Sequence, residues 1–212
     1  MRWTLFIALL FAAAGIVMAQ TKVSFDETNA LPKGWASGIT GKGAAKWEVV
    51  ADGSATSKPN VLKQSGEATF CWAARTDERI QDGFVEVKFK PLTGKEDQAG
   101  GLVWRFKDAN NYYVVRGNAL ENNVVLYKTE KGKRSSLDIV GRSGGYGTKA
   151  EVPKNQWQTL RVEFAGKRFK VILNGKPLFE VEDPTFAEAG KVGLWTKADS
   201  VTLFDDFVFG PP

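Results

Sequence analysis

Histidine is absent from this sequence of 212 residues, and there is a single cysteine, Cys71. The lack of histidine excludes Ser-His-Asp and Cys-His catalysis, histidine proton shuttles and histidine-ligated zinc or iron. One thiol cannot form an internal disulfide or a cysteine-built metal site. The remaining classes of chemistry are carboxylate catalysis, calcium binding through oxygen ligands, and non-catalytic binding.

Long hydrophobic runs are also scarce, and the one exception lies at the N-terminus. Arg2 precedes an apolar stretch over residues 5–17, which ends in the small-residue cleavage pattern Val17-Met18-Ala19. This arrangement predicts a secretory signal peptide over residues 1–19. The alternative is an uncleaved membrane anchor, because residues 3–21 carry no charge.

We therefore expect an exported protein, either secreted or periplasmic, and a bacterial source suits an exported chain without disulfides. After signal cleavage no other stretch is long enough to cross a membrane, so no membrane association is expected. The formal net charge is +5, but basic and acidic residues are interspersed, so nucleic-acid binding is not indicated. The oligomeric state stays open.

Residues 20–212 are predicted to form a single all-β domain. Long helical periodicity is missing, and short alternating segments are bounded instead by glycine, asparagine, aspartate and proline. In segments 85–90 and 160–164, apolar side chains alternate with charged ones. This pattern is typical of antiparallel sheets that bury one face in a sandwich or barrel. Neither a linker nor an internal repeat divides the domain.

The C-terminal hairpin can be paired from the sequence because Asn174-Gly175 is a strong turn signal. A three-residue loop, Asn174-Gly175-Lys176, pairs Val171 with Phe179 and Lys170 with Glu180, which keeps the apolar and charged faces separate. Glu163 then lies beyond Lys170 on the charged face. We interpret this pair of glutamates, Glu163 and Glu180, as part of a solvated ion-pair face and not as catalytic carboxylates.

The middle hairpin supplies the candidate binding residues. A turn over residues 108–111 would pair Phe106 with Tyr113 and Trp104 with Val115, making one face wholly apolar. The opposite face is polar and aromatic, and the next strand adds to it if Leu126 points inward. The candidate ligand-binding residues on this face and its adjoining loop are Arg105, Tyr112, Arg116, Asn118, Glu121 and Tyr127.

Such a face suits carbohydrate recognition. Aromatic rings cover the apolar C–H face of a sugar, while arginine, asparagine and glutamate bind its hydroxyl groups. Two arginines beside a tyrosine also suit an acidic sugar. The alternative is a face that is merely solvated, or covered by a loop such as the glycine-rich stretch Gly141–Gly147.

Calcium is a second candidate ligand, since it requires only oxygen donors. Asp26 near the first strand and Asp205 and Asp206 near the last strand would meet if these two strands pair. The sequence contains no EF-hand-like loop, and these aspartates are equally suited to turns and strand ends. We expect no cofactor, with a structural calcium as the alternative.

Several short motifs occur in a characteristic order. They are Gly101-Leu102-Val103-Trp104-Arg105-Phe106 before Asn111-Tyr112-Tyr113, Trp157 before Leu160-Arg161-Val162, Asn174-Gly175-Lys176, Gly190-Lys191-Val192-Gly193-Leu194-Trp195 and Phe204-Asp205-Asp206-Phe207. Together they resemble the concanavalin A-like lectin/glucanase superfamily, and among bacterial members the laminin-G-like and 3-keto-disaccharide hydrolase (DUF1080-type) domains. The resemblance covers most of the chain. It implies an antiparallel β-sandwich with jelly-roll topology, whose concave sheet face is the usual ligand groove.

Three functions stay open, because folds of this kind serve lectins, glycosidases and structural modules alike. The leading interpretation is an exported, non-catalytic domain that binds glycan through the concave face. The second is a glycoside hydrolase resembling the 3-keto-disaccharide hydrolases, which predicts an acidic pair in the groove; the Glu-x-Asp-x-x-Glu strand of family 16 glycosidases is absent. The third is a structural or protein-interaction module of laminin-G type, which predicts an exposed apolar patch.

Overall fold

The computed structural model describes residues 19–26 and 30–212. The predicted signal peptide therefore lies, except for Ala19, outside the described residues. All regular structure in the described part is β, and no helix there is long and apolar enough to span a membrane.

Two curled antiparallel sheets form a sandwich, which confirms the predicted jelly roll. Sheet I contains β1 (Thr21–Val23), β3 (Trp47–Ala51), β4 (Asn60–Gln64), β6 (Gly83–Thr93), β12 (Gln158–Ala165), β13 (Arg168–Leu173), β14 (Lys176–Glu182) and β16 (Val201–Gly210). Sheet II contains β2 (Trp35–Ala44), β5 (Glu67–Arg75), β7 (Ala99–Asp108), β8 (Asn111–Asn118), β9 (Asn123–Glu130), β10 (Lys133–Ser136), β11 (Thr148–Lys149) and β15 (Lys191–Ala198). Their strand orders are β14-β13-β12-β6-β16-β4-β3, with β1 on β16, and β10-β9-β8-β7-β15-β5-β2, with β11 on β9.

The main core lies between the two sheets and is built by alternation along each strand. In β12, Leu160, Val162 and Phe164 point into it and are fully or almost fully buried. In β7 and β8, Trp104 and Tyr113 stack with their ring centroids 5.4 Å apart. Each such buried side chain stabilises the fold by about 1.5–3 kcal/mol relative to an exposed position.

Paired glycines allow the two sheets to approach each other around one ring. Gly100 of β7 and Gly117 of β8 lie opposite each other in the register of sheet II. A Cβ atom at Gly100 would stand 2.4 Å from Phe89 Cδ2, and one at Gly117 would stand 2.8 Å from Phe89 Cζ. Only glycine leaves room for the Phe89 ring at these two positions.

The predicted pairing of the C-terminal hairpin is confirmed. Val171 pairs with Phe179 and Lys170 with Glu180, but the loop is the two-residue turn Asn174-Gly175, and a bulge between Val171 and Ile172 restores the register. Lys170 Nζ lies 3.7 Å from a carboxylate oxygen of Glu163, and Arg168 Nη1 lies 3.8 Å from one of Glu180. The two glutamates therefore belong to ion pairs on the solvent-facing side of sheet I.

The predicted register of the middle hairpin is wrong. The predicted turn over residues 108–111 is confirmed, with Asp108 paired to Asn111, but Trp104 pairs with Tyr113 and not with Val115. A bulge between Trp104 and Asp108 shifts the pairing of β7 and β8 on its far side from the turn. Because of this bulge, Phe106 packs in the apolar cluster on the outer face of sheet II instead of in the main core.

The first and last strands pair, and Asp206 of the last strand binds two lysines, Lys22 of β1 and Lys88 of β6. Lys22 Nζ lies 2.8 Å and Lys88 Nζ 2.9 Å from the two carboxylate oxygens of Asp206. Burial alone would raise the pKa of Asp206, but the hydrogen bonds from these lysines lower it to about 2.

This pKa predicts an acid-sensitive contribution to stability. A carboxyl group whose pKa is depressed on folding stabilises the protein above its unfolded pKa, and the contribution disappears as the pH falls through the folded pKa. We expect Asp206→Asn to lower the free energy of unfolding by about 1–2 kcal/mol at pH 7, and to flatten its dependence on pH between about 4 and 2.

Urea denaturation of the wild type and the variant across this pH range measures the effect. Asparagine has nearly the same shape and tolerates the positive φ of 47° at this position, so the comparison isolates the charge. Parallel pH curves for the two proteins would contradict the assignment.

Candidate functional site

The outer face of sheet II, which points away from the main core, carries four of the six predicted binding residues. Tyr112, Arg116 and Asn118 alternate along β8 with core residues, and Tyr127 follows from β9 because Leu126 points inward, as expected. Glu121 lies in the loop between these strands. Glu121 joins three residues of the face, Arg116, Asn118 and Tyr127, in one hydrogen-bonded network. We term this network the Arg116 cluster.

Arg105 does not belong to this face, which corrects the prediction. Its backbone has a φ of 45°, and this left-handed residue lies within the β7 bulge. Its guanidinium group therefore lies over the rings of Phe164 and Phe169, at 5.9 and 5.5 Å, on the core side of the sheet. The two-arginine arrangement that suggested an acidic sugar is absent, since Arg105 and Arg116 lie on opposite faces.

Tyr112 lies on the predicted face but outside the Arg116 cluster. Its ring stacks on Phe106 with a centroid distance of 5.2 Å, and its hydroxyl lies 2.9 Å from the Thr40 hydroxyl of β2. Tyr112 is completely buried, so its role in the structure is to join β8 to the edge strand β2 across the curled sheet.

Arg116 is the centre of the cluster. Its Nη2 atom donates hydrogen bonds to a Glu121 carboxylate oxygen at 3.0 Å, to the Tyr127 hydroxyl at 3.0 Å and to the Tyr146 hydroxyl at 3.1 Å. Its Nη1 atom donates to the side chain of Asn123. The arginine is almost completely buried, while Tyr146 is 49% exposed. Arg116 therefore holds the surface groups in place from beneath.

Asn118 extends the network towards a second carboxylate. Its Nδ2 atom donates to Glu121 Oε1 at 3.1 Å and also to Asp97, which is buried and forms an ion pair with Lys197. Because a single amide nitrogen serves both acids, the two carboxylates cannot be farther apart than two hydrogen bonds allow. Asn118 therefore brings the carboxylates of Asp97 and Glu121 next to each other.

Electrostatics keep the cluster ionised. Burial alone would raise the pKa of Glu121, but the hydrogen bond from Asn123 and the charge of Arg116 outweigh it, and the pKa of Glu121 is lowered. Burial also opposes the charge of Arg116, yet Tyr127 and Glu121 raise its pKa. The pKa of Tyr127 is raised, chiefly by burial. At neutral pH the cluster presents an ionised carboxylate and a neutral phenol.

The surface of the cluster combines groups that bind sugar hydroxyls with an aromatic ring. Tyr146 and Glu121 form its exposed part, with the side chain of Glu121 38% exposed. Ionised carboxylates accept hydrogen bonds from hydroxyl groups, and a tyrosine ring can cover the apolar face of a sugar. The glycine-rich stretch Gly141–Gly147, considered as an alternative cover for this face, contributes Tyr146 to the cluster and lies with Gly147 against Val125.

Four members of the cluster were not predicted: Asp97, Asn123, Tyr146 and Lys197. Asn123 is paired with Asn118 across the β8–β9 hairpin, so the strand pattern could have identified it. The other three come from loops and strands that are distant in the sequence. No local signal in the sequence indicated them.

The aspartates considered as calcium ligands are occupied by protein groups. Asp205 is fully buried and accepts five hydrogen bonds, from Thr56, Ser57 and the backbone amide of Asp206. Asp206 holds two lysines, and the side chain of Asp26 accepts a hydrogen bond from Ser24 at 2.6 Å. Within residues 19–26 and 30–212, no group of three or more His, Cys, Asp or Glu side chains is arranged to hold a metal ion.

Comparisons with known proteins add a family and several structural relatives. Residues 20–208 match the model of the 3-keto-alpha-glucoside-1,2-lyase-like domain. No curated protein matches the chain. The carbohydrate binding module CBM66 from Bacillus subtilis is 23% identical, with 82% of this chain and 93% of that module covered and a TM-score of 0.62.

Two further solved structures share the architecture. A putative glycosyl hydrolase from Parabacteroides distasonis is 20% identical, with 84% of this chain and 99% of that chain covered and a TM-score of 0.51. A beta-glucanase from Bacillus licheniformis is 11% identical, with coverages of 87% and 95% and a TM-score of 0.51. At these identities the three structures show a common fold, and that fold serves both binding modules and glycosidases.

Proposed function

We propose that this chain, which belongs to the 3-keto-alpha-glucoside-1,2-lyase-like domain family, binds a carbohydrate at the Arg116 cluster. The observation that carries the proposal is the half-exposed pair of Tyr146 and Glu121, both held by the buried Arg116. A binding site gains affinity when its groups are ordered before the ligand arrives. Here the tyrosine ring and the carboxylate are fixed without a ligand, at the spacing set by a single guanidinium group.

We also propose that the chain is exported and acts outside the cytoplasm, in the periplasm or beyond the cell. The N-terminal signal pattern supports export, and glycans are abundant there as ligands. The proposed binding requires no cofactor, since each polar group of the cluster is a protein side chain that can bind a hydroxyl directly.

A glycan array tests the proposal, with the chain from Gln20 onward, in the presence and absence of calcium. We expect Tyr146→Ala and Glu121→Gln each to weaken the binding of any recognised glycan by about 10-fold, because each removes one contact from the site. These two surface positions are preferable to Arg116, because loss of that buried cation would disturb the fold.

Glu180→Gln is the matched control, because it makes the same chemical change at a half-exposed position on sheet I. We expect it to leave glycan binding unchanged. Binding that survives both Tyr146→Ala and Glu121→Gln would place the glycan elsewhere. A wild-type chain that binds no glycan would contradict the proposal and leave a structural or protein-interaction role as the alternative.

A second candidate function is cleavage of a 3-keto glycoside, and the adjacent carboxylates of Asp97 and Glu121 favour it. A ketone makes the neighbouring C–H acidic, so a lyase for such a sugar requires a general base that is ionised at neutral pH. Glu121 is ionised at neutral pH and is the exposed carboxylate of the two, although its lowered pKa weakens it as a base. Release of the leaving group from a 3-keto glucoside by the wild type, lost in Glu121→Gln but not in Glu180→Gln, would establish catalysis.

A further inference from the structure

The outer face of sheet II carries a second apolar cluster, separate from the main core. Six aromatic side chains define what we term the aromatic face: Phe70, Trp72, Phe106, Tyr112, Tyr127 and Trp195. Sheet II curls around this face, and the contact between Thr40 of β2 and Tyr112 of β8 brings two distant strands together across it. Most of these rings are consequently buried although they lie outside the sandwich.

Arg134 of the edge strand β10 lies on this aromatic face. Its guanidinium carbon is 4.1 Å from the ring centroid of Tyr127, 4.6 Å from that of Phe70 and 5.5 Å from that of Trp195. Cation–π contacts of this kind hold a guanidinium group flat against aromatic rings. One of its nitrogens, Nη1, is buried and has no hydrogen-bond partner among the described residues.

The lack of an ion pair among the described residues distinguishes Arg134 from comparable arginines. Four other arginines that the structure describes are buried or half-buried, and each forms an ion pair with a carboxylate: Arg75, Arg105, Arg116 and Arg161. Arg134 forms no ion pair in the described part of the chain. An unpaired cation that is partly removed from water loses free energy of solvation unless an anion compensates for it.

Other buried polar atoms near Arg134 also lack hydrogen-bond partners. The indole Nε1 atoms of Trp72 and Trp195 and the hydroxyl of Thr129, the cross-strand neighbour of Arg134, are buried on this face without partners. Indole nitrogens can only donate hydrogen bonds. The aromatic face therefore offers a cation and several hydrogen-bond donors, but no carboxylate among the described residues pairs with the cation, and a ligand carboxylate is the simplest group with the complementary chemistry.

We propose that Arg134 and the aromatic face form a subsite for an acidic sugar, in which the guanidinium group binds the sugar carboxylate and the aromatic side chains hold the guanidinium group in place. This inference rests on the proposed carbohydrate-binding function and names its substrate class. Tyr127 connects the two regions, since its hydroxyl binds Arg116 at 3.0 Å while its ring contacts Arg134. One oligosaccharide can thus place a neutral unit at the Arg116 cluster and an acidic unit at Arg134.

The test compares acidic glycans with their own neutral forms. Each uronic-acid oligosaccharide that the wild type binds is reduced at its carboxyl groups, and both forms are titrated calorimetrically. We expect the reduced form to bind about 10- to 100-fold more weakly to the wild type, because a charge-assisted hydrogen bond is lost. Arg134→Gln should abolish this difference, and Arg134→Lys, which keeps the charge but not the planar fork, should retain part of it.

Lys133→Gln is the matched control, because it removes one positive charge from the exposed side of the same strand. The control should preserve the preference for the acidic form, and thermal unfolding should show that all three variants are folded. Equal binding of acidic and reduced glycans by the wild type would overturn the Arg134 proposal and leave carbohydrate binding intact. Tighter binding of every glycan by Arg134→Gln would also overturn it, since Arg134 would then obstruct the face. Binding of no glycan at all would mean that the proposed function itself had failed.

Discussion

Arg105→Met is expected to lower the free energy of unfolding by about 3–5 kcal/mol, the usual result of removing one partner from a buried ionic network. Arg105 is fully buried, and it donates hydrogen bonds to the carbonyl oxygens of Gln81 at 3.1 Å, Gly166 at 2.6 Å and Phe186 at 2.7 Å. Methionine fills much of the same volume but leaves these three carbonyl groups without a donor. For a chain of this size we expect the Tm to fall by roughly 10–15 °C.

Two further variants separate the hydrogen bonds from the charge. Arg105→Lys retains a cation but cannot reach three carbonyl groups in different directions, so its loss of stability should be intermediate. Asp82→Asn removes the carboxylate that lies 3.2 Å from Arg105, but Asp82 is 46% exposed, so we expect a change below about 1 kcal/mol. A stability of Arg105→Met within 1 kcal/mol of the wild type would show that the guanidinium group does not hold these three segments together.

The contrast between the two predicted hairpins shows what alternation can reveal. Away from the turn, in residues 168–171 of β13 and 179–182 of β14, apolar and charged residues alternate strictly, so only one register keeps the faces apart. In β7 the left-handed conformation of Arg105 breaks the alternation. Arginine has no special preference for positive φ, in contrast to glycine or asparagine. The sequence therefore contains no signal for the bulge that moves Arg105 and Phe106 to unexpected faces.

Alternation along β8 and β9 also decides which site residues could be predicted. Arg116 and Asn118 share a face because they are two residues apart on one strand, and Tyr127 follows through the adjacent strand. Arg134 lies on this face of the curled sheet II through its pairing with Thr129, whereas Tyr146 reaches the face from the irregular segment that follows β10. Curvature of this extent depends on packing between distant strands. Local alternation along a single strand contains no information about it.

Asp205→Asn is expected to lower the free energy of unfolding by about 2–4 kcal/mol, although the two side chains have almost the same shape. Oδ2 accepts the backbone amides of Thr56 at 2.6 Å and Ser57 at 2.8 Å, and Oδ1 accepts the backbone amide of Asp206 at 2.7 Å. Backbone amides can only donate. An asparagine in either orientation must point its NH₂ group at one of them, so no rotation relieves the conflict.

Asp26→Asn is the control, because Asp26 is exposed and its carboxylate is bound only by Ser24 among the described residues, so we expect a change within about 0.5 kcal/mol. Urea denaturation of both variants, with and without calcium, distinguishes a hydrogen-bonded carboxylate from a metal ligand. A ligand that binds only the folded state raises the Tm with its concentration. Calcium-dependent stabilisation of the wild type, lost in both variants, would therefore assign these aspartates to a metal site. Equal results in calcium and in chelator, with a loss of stability confined to Asp205→Asn, would instead show that Asp205 stabilises the loop that precedes β4. Four of its five hydrogen bonds fix Thr56 and Ser57 of that loop against the last strand.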